Sequence, residues 1–139
     1  MAQAELERLV AIARDASRSE DERTTAIHAM SRHPAEEAIP HLIDLMKDNA
    51  LSVRWAAAST LRRYGRAMLE PLLRALATQP ADHQFYESAH HALTRFGDPA
   101  IEAILEPVLA ALTQSGAAAA TPAAAMEALE ALESLPGTR

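Results

Sequence analysis

The sequence predicts an all-α solenoid, a stack of four antiparallel helix pairs in one domain spanning residues 1–139. Three observations predict it. The chain repeats itself at a period near thirty-one residues, its prolines and glycines return in register with that repeat, and its composition is rich in alanine with only five aromatic residues. Alanine favours helix and lets helices approach closely, whereas Val and Thr are too sparse for a large sheet.

The repeat is visible by direct superposition. At an offset of 31, Ala26 falls on Ala57, Met30 on Leu61, Arg32 on Arg63, Pro40 on Pro71, Leu42 on Leu73 and Leu45 on Leu76. At a further 32, Ala57 falls on Ala89, Leu61 on Leu93, Tyr64 on Phe96 and Gly65 on Gly97. Past Gly97 the offset is 36, which brings Pro71 to Pro107, Leu73 to Leu109 and Leu76 to Leu112. Chance likeness between alanine-rich helices would not align prolines and glycines as well. The units are about 3–33, 34–65, 66–97 and 98–135.

Each unit reads as two helices. The first run roughly over 3–15, 34–47, 66–78 and 98–114, the second over 20–32, 51–64, 83–96 and 122–134. Ser19-Glu20-Asp21-Glu22 fits a capping box, in which serine and glutamate satisfy unpaired N–H groups at the helix start. Asp98-Pro99 and Thr121-Pro122 each place a capping side chain before a proline suited to the first helical position. Gly65 and Gly97 stand where a helix must stop, and Gly116 to Ala120 reads as an alanine-rich loop. Pro40, Pro71 and Pro107 fall inside the first helices and are expected to make a repeated bend.

The segment Asp48-Asn49-Ala50-Leu51-Ser52-Val53-Arg54-Trp55-Ala56-Ala57-Ala58-Ser59-Thr60-Leu61 resembles the HEAT repeat, with its D-x-x-x-x-V-R-x-x-A-A/S-x-x-L signature. The short period is similar to that of the HEAT-like repeats of phycobilin lyases. In the third unit Phe85 and Tyr86 replace the signature valine and arginine, and the fourth unit lacks both. The resemblance implies a right-handed, armadillo-type superhelix with the second helices lining a concave face.

Val53, Ala57, Thr60, Leu61 and Tyr64 recur at helical spacing, as do Phe85, Ala89, Ala92, Leu93 and Phe96, and form the expected core stripe. At about 100° per residue, Trp55, Ser59 and Arg62 point away from it. Their register partners are Thr24, His28 and Ser31, then Glu87, His91 and Thr94, then Ala123, Glu127 and Glu130. Under the implied fold these columns run side by side along the concave surface. Trp55, Ser59, Arg62, Glu87, His91, Thr94, His28 and Glu127 are therefore the candidate partner-binding residues. Trp55 is the most informative, since an exposed aromatic among polar groups marks a binding anchor. The competing reading lays Trp55 flat over neighbouring alanines such as Ala58.

Chemistry is sparse. The net charge of −6, from thirteen basic and nineteen acidic residues, excludes a general nucleic-acid binder. The absence of cysteine removes disulfides and thiolate zinc sites. His83, Glu87 and His90 share one helix face and are the residues from which a metal site could be built, but a single helix supplies them, so no metal or other cofactor is expected. HEAT-like iron hydroxylases carry His-Glu dipeptides, and no histidine here precedes a glutamate. No phosphate loop, nucleophile elbow or His-E-x-x-His pattern occurs. The early charge at Glu5 and the absence of a long apolar run lead to an expectation of a soluble, cytoplasmic chain with no membrane association.

The expected function is a non-catalytic scaffold or adaptor that holds a protein or peptide on the second-helix face, its acidic end (Glu127, Glu130, Glu133) favouring a partly basic partner. The alternatives are an enzyme accessory such as a chromophore lyase-like subunit, and a metal-binding HEAT-like protein. Apolar stripes at Leu6, Leu9, Val10 and Ala13, and at Met126, Leu129 and Leu132, give both ends a capped look and point to a monomer.

Overall fold

The computed structural model describes residues 2–136. Among these residues, eight α-helices follow one another along the chain as four pairs: α1 (Ala2–Arg14) with α2 (Glu20–Ala29), α3 (Ala35–Leu45) with α4 (Leu51–Arg62), α5 (Leu69–Thr78) with α6 (His83–Leu93), and α7 (Pro99–Thr113) with α8 (Ala117–Glu133). The described residues contain no strand. None of the helices is long and apolar enough to cross a membrane among the described residues.

Local chemistry accounts for the helix ends. Ser19 and Glu22 form the expected reciprocal capping box at α2. Asp98 accepts from the backbone N–H groups of Ala100 and Ile101 at 3.0 and 3.4 Å, with Pro99 beginning α7. Asp82 does the same for α6 through the N–H of Phe85 at 3.0 Å. Gly65 and Gly97 adopt φ values of 62° and 101°, the left-handed region that glycine enters at least cost.

Four expectations change. The prolines do not occupy one place in the first helices, because the helices start at different distances from them. Pro40 is the sixth residue of α3 and Pro107 the ninth of α7, but a 3-10 turn over Gly65–Met68 delays α5 until Leu69 and leaves Pro71 third. In that first turn the N–H that proline lacks would have had no intrahelical partner. Gly116 to Ala120 is not a loop: α8 starts at Ala117, since four successive alanines carry the highest helix propensity. Thr121 is accordingly a buried residue inside α8 instead of its cap, and Pro122 lies within the helix. Met126, expected on the apolar side of that helix, is exposed.

The helices pack in two rows. One contains α2, α4 and α6, the other α1, α3 and α5, and α1–α2 and α3–α4 pack across them. At the last pair the rows exchange. Helix α7 packs against α6, while α8 lies along α5 as well as α7. The first helix of the fourth pair thus extends the row of second helices. Side-chain size suits the arrangement: α8 buries Thr121, Ala125, Ala128, Leu129 and Leu132, a mostly small face, and α5 buries the larger Leu69, Leu72, Leu73 and Leu76.

The core runs between the rows through Ile27, Leu42, Val53, Leu61, Leu73, Phe85 and Leu105, all buried. Complete burial of a side chain such as Phe85 stabilises by about 1.5–3 kcal/mol. Tyr64 and Phe96 are half-buried against this core, as the expected stripe requires.

Polar ties register one unit on the next. Arg23, at the position corresponding to Arg54, is buried and donates through Nε to the Ala13 carbonyl at 2.8 Å and through Nη2 to Asp48 Oδ2 at 2.5 Å. Asp48 also accepts from the Ala50 N–H at 2.9 Å. One unit later the place of Asp48 is taken by Gln79, which receives Lys47 Nζ, and Arg54 turns to the Asp48 and Asn49 carbonyls at 2.8 and 3.1 Å. Tyr64 Oη donates toward the Met30 and His33 carbonyls at the end of the first unit's second helix, at 3.1 and 2.7 Å.

Candidate functional site

An open groove of about 610 Å³ lies where the row of second helices meets the last pair. Trp55 of α4 forms one side. His83, Tyr86, Glu87, His90 and His91 of α6, with Thr94 just beyond it, form the floor. Leu112 and Thr113 at the end of α7, Gln114, and Ala117 at the start of α8 form the far wall.

Trp55 and His91 define its centre. Trp55 sits one helix over from His91, and the two rings meet edge to face with centroids 3.9 Å apart and planes at 90°. Trp55 nevertheless stays 36% exposed. The indole thus packs laterally on a histidine and keeps about a third of its surface exposed. The His91 ring titrates below its ordinary value of 6.5, chiefly because burial disfavours the charged form, with further repulsion from Arg62 and His90. At neutral pH it is an uncharged aromatic surface.

Arg62, expected among the binding residues, acts as a cap. Its Nη1 donates to the carbonyls of His91 at 2.9 Å, Ala92 at 3.3 Å and Thr94, and Nη2 reaches that of Arg95 at 3.2 Å. The first two are among the last carbonyls of α6, which lack intrahelical partners, and the other two follow directly beyond its end, where a cation is favourable for the helix dipole. They are left open because α6 stops at Leu93, three residues before the expected end, with Arg95 in the left-handed region at φ 55°. Arg62 therefore positions α6, and with it the floor of the groove.

Glu87 is exposed, and its Oε1 lies 3.7 Å from Arg54 Nη2, beneath the surface. His90 takes part in a local contact, Thr94 Oγ1 standing 3.2 Å from Nδ1 and donating to the His90 carbonyl at 2.6 Å. Tyr86 lines the groove while staying buried. Its hydroxyl is buried without a well-formed hydrogen bond, facing Thr121 of α8, and burial raises its pKa.

The structure brings Trp55, Glu87, His91 and Thr94 together in this groove. Ser59 is exposed one turn along α4, and His28 is exposed on α2, both outside the groove lining. Glu127 is exposed on α8, which packs on α5 and α7, so the exchange of rows parts it and the acidic end from Trp55. His83, Glu87 and His90 all line the groove, yet among the described residues no three His, Cys, Asp or Glu side chains gather as a metal ion would need. Sequence reasoning missed the far wall. Its signal was the lengthening of the offset from 32 to 36 past Gly97, which gives α7 the extra turn that carries Leu112 and Thr113 back to α6.

Comparison with curated proteins and with solved structures gives no match. A family model described as HEAT repeats matches residues 6–88, more than half of the chain. With the paired helices, the two-row packing and the Asp48–Arg23 tie between successive units, this match places the chain in the HEAT-repeat family.

Proposed function

We propose that the chain is a non-catalytic module that binds a protein or peptide segment in the groove between Trp55 and the α7–α8 turn. The observation that carries this reading is the treatment of the aromatics. Phe85 and Tyr86 are buried and Tyr64 and Phe96 half-buried, whereas Trp55 keeps over a third of its surface open at the mouth of a groove. An aromatic anchor beside a concave, mainly apolar surface with a few polar groups is the usual composition of a binding hot spot. HEAT repeats commonly mediate protein interactions, which favours a macromolecular partner over a small substrate. The apolar faces of the terminal helices, Leu6, Val10 and Ala13 at one end and Leu129 and Leu132 at the other, turn inward, and we read the module as a monomer.

The test is panning of a random-peptide display library on the purified chain. The reading predicts binders whose affinity falls at least about tenfold on Trp55→Ala, a loss of some 1.4 kcal/mol. Binders wholly indifferent to that substitution would refute it, provided both proteins melt at similar temperatures.

A further inference from the structure

Resting on that reading of the groove, we infer that its occupant presents an arginine side chain, stacked on the open face of Trp55 and paired with the carboxylate of Glu87. The two residues are register equivalents on adjacent helices, one unit apart, and line the same groove. Glu87 is the only carboxylate among the lining residues.

The charges around it favour a cation. The nearest protein cation, Arg54, is buried and donates through Nη1 to two backbone carbonyls. Its Nη2 forms an ion pair with Glu87 at 3.7 Å, longer than a hydrogen bond, and the Glu87 side chain remains 52% exposed and open to a second cation. Arg62, the other nearby guanidinium, is engaged by four carbonyls at the negative end of α6. His91 is held neutral beside Trp55, so the ring next to the indole does not repel an incoming cation at pH 7. The chain as a whole carries −6, which draws basic segments toward it.

Arginine fits better than lysine on geometry. A guanidinium is planar, stacks on an indole face and offers a two-pronged donor edge to a carboxylate, whereas an ammonium is a strongly hydrated point charge. An acidic segment would meet Glu87 with like charge, and a wholly apolar one would desolvate that carboxylate with only the 3.7 Å contact to Arg54 to compensate it.

The same panning experiment tests this separately from the groove itself. Among peptides that depend on Trp55, one position is expected to be occupied by arginine. Replacing that arginine by norleucine or glutamate in a synthetic peptide is expected to weaken binding about tenfold or more, and by lysine less. Titration can follow emission from Trp55, the only tryptophan of the chain. Glu87→Gln is isosteric at an exposed position and is expected to cost the arginine peptide about tenfold while leaving its norleucine analogue unchanged. Trp55-dependent peptides without a basic residue, or with affinity unmoved by Glu87→Gln, would overturn the arginine assignment and leave the groove standing. Failure to obtain any Trp55-dependent peptide would overturn both.

Discussion

The edge of one ring against the face of the other, at 3.9 Å and 90°, makes Trp55 and His91 a single aromatic unit across the α4–α6 seam. The pair holds the partly exposed indole at the groove and links the groove to the packing of successive units.

Trp55→Ala is predicted to lower stability by only about 1–2 kcal/mol, because the ring is already 36% exposed. Chemical denaturation would show a small shift in midpoint with an unchanged slope. A loss above about 4 kcal/mol would make Trp55 a structural residue first.

Arg62→Gln is predicted to destabilise the chain more than its half-exposed position suggests, by about 2 kcal/mol, since it uncaps the end of α6. Hydrogen exchange at the amides of His91, Ala92 and Leu93 should rise more than at α2. Arg62→Lys should rescue poorly, because an ammonium cannot span carbonyls at that spacing.

Asp48→Asn is predicted to cost about 2–4 kcal/mol. It leaves the buried Arg23 guanidinium with reduced compensation, and removing one member of a buried pair exposes the desolvation cost of the other. Thermal melts of Asp48→Asn, Arg23→Met and the double variant would show strong non-additivity.

Stability is predicted to fall as the pH drops below about 6.5, with His91 contributing. In the unfolded chain the ring takes up a proton near its ordinary value of 6.5, but in the folded chain only at lower pH. Its contribution is complete above that unfolded value and is lost as pH falls through the folded one. His91→Gln should flatten this part of the profile relative to the parent chain.

Tyr86→Phe is predicted to change stability by less than about 1 kcal/mol in either direction. The phenol is buried and makes no well-formed hydrogen bond, so deleting it removes a desolvated group rather than a bond.

The repeat, its eight helices and its core stripe were legible because they rest on local signals: glycine at Gly65 and Gly97, the capping box at Ser19, and apolar spacing from Val53 to Leu61. The place of Trp55 off the stripe of its own helix was legible for the same reason. Arg62 was not. Its angular position is that of a surface residue, and only the early end of α6 supplies the carbonyls that engage it. Nor was the far wall, since the placing of α8 along α5 depends on small-to-large packing between helices distant in sequence. Register alone carries Glu127 into the concave column, whereas tertiary packing sets it elsewhere.

The central claim, that the Trp55 groove is the binding surface, is tested most directly by locating a bound peptide. A panned peptide added to isotope-labelled chain should shift the Trp55 indole N–H and the backbone signals of Glu87, His91, Thr94, Gln114 and Ala117, leaving α1, α3 and α5 unmoved. Shifts confined to the outer row of α1, α3, α5 and α8, with the indole signal unchanged, would contradict it.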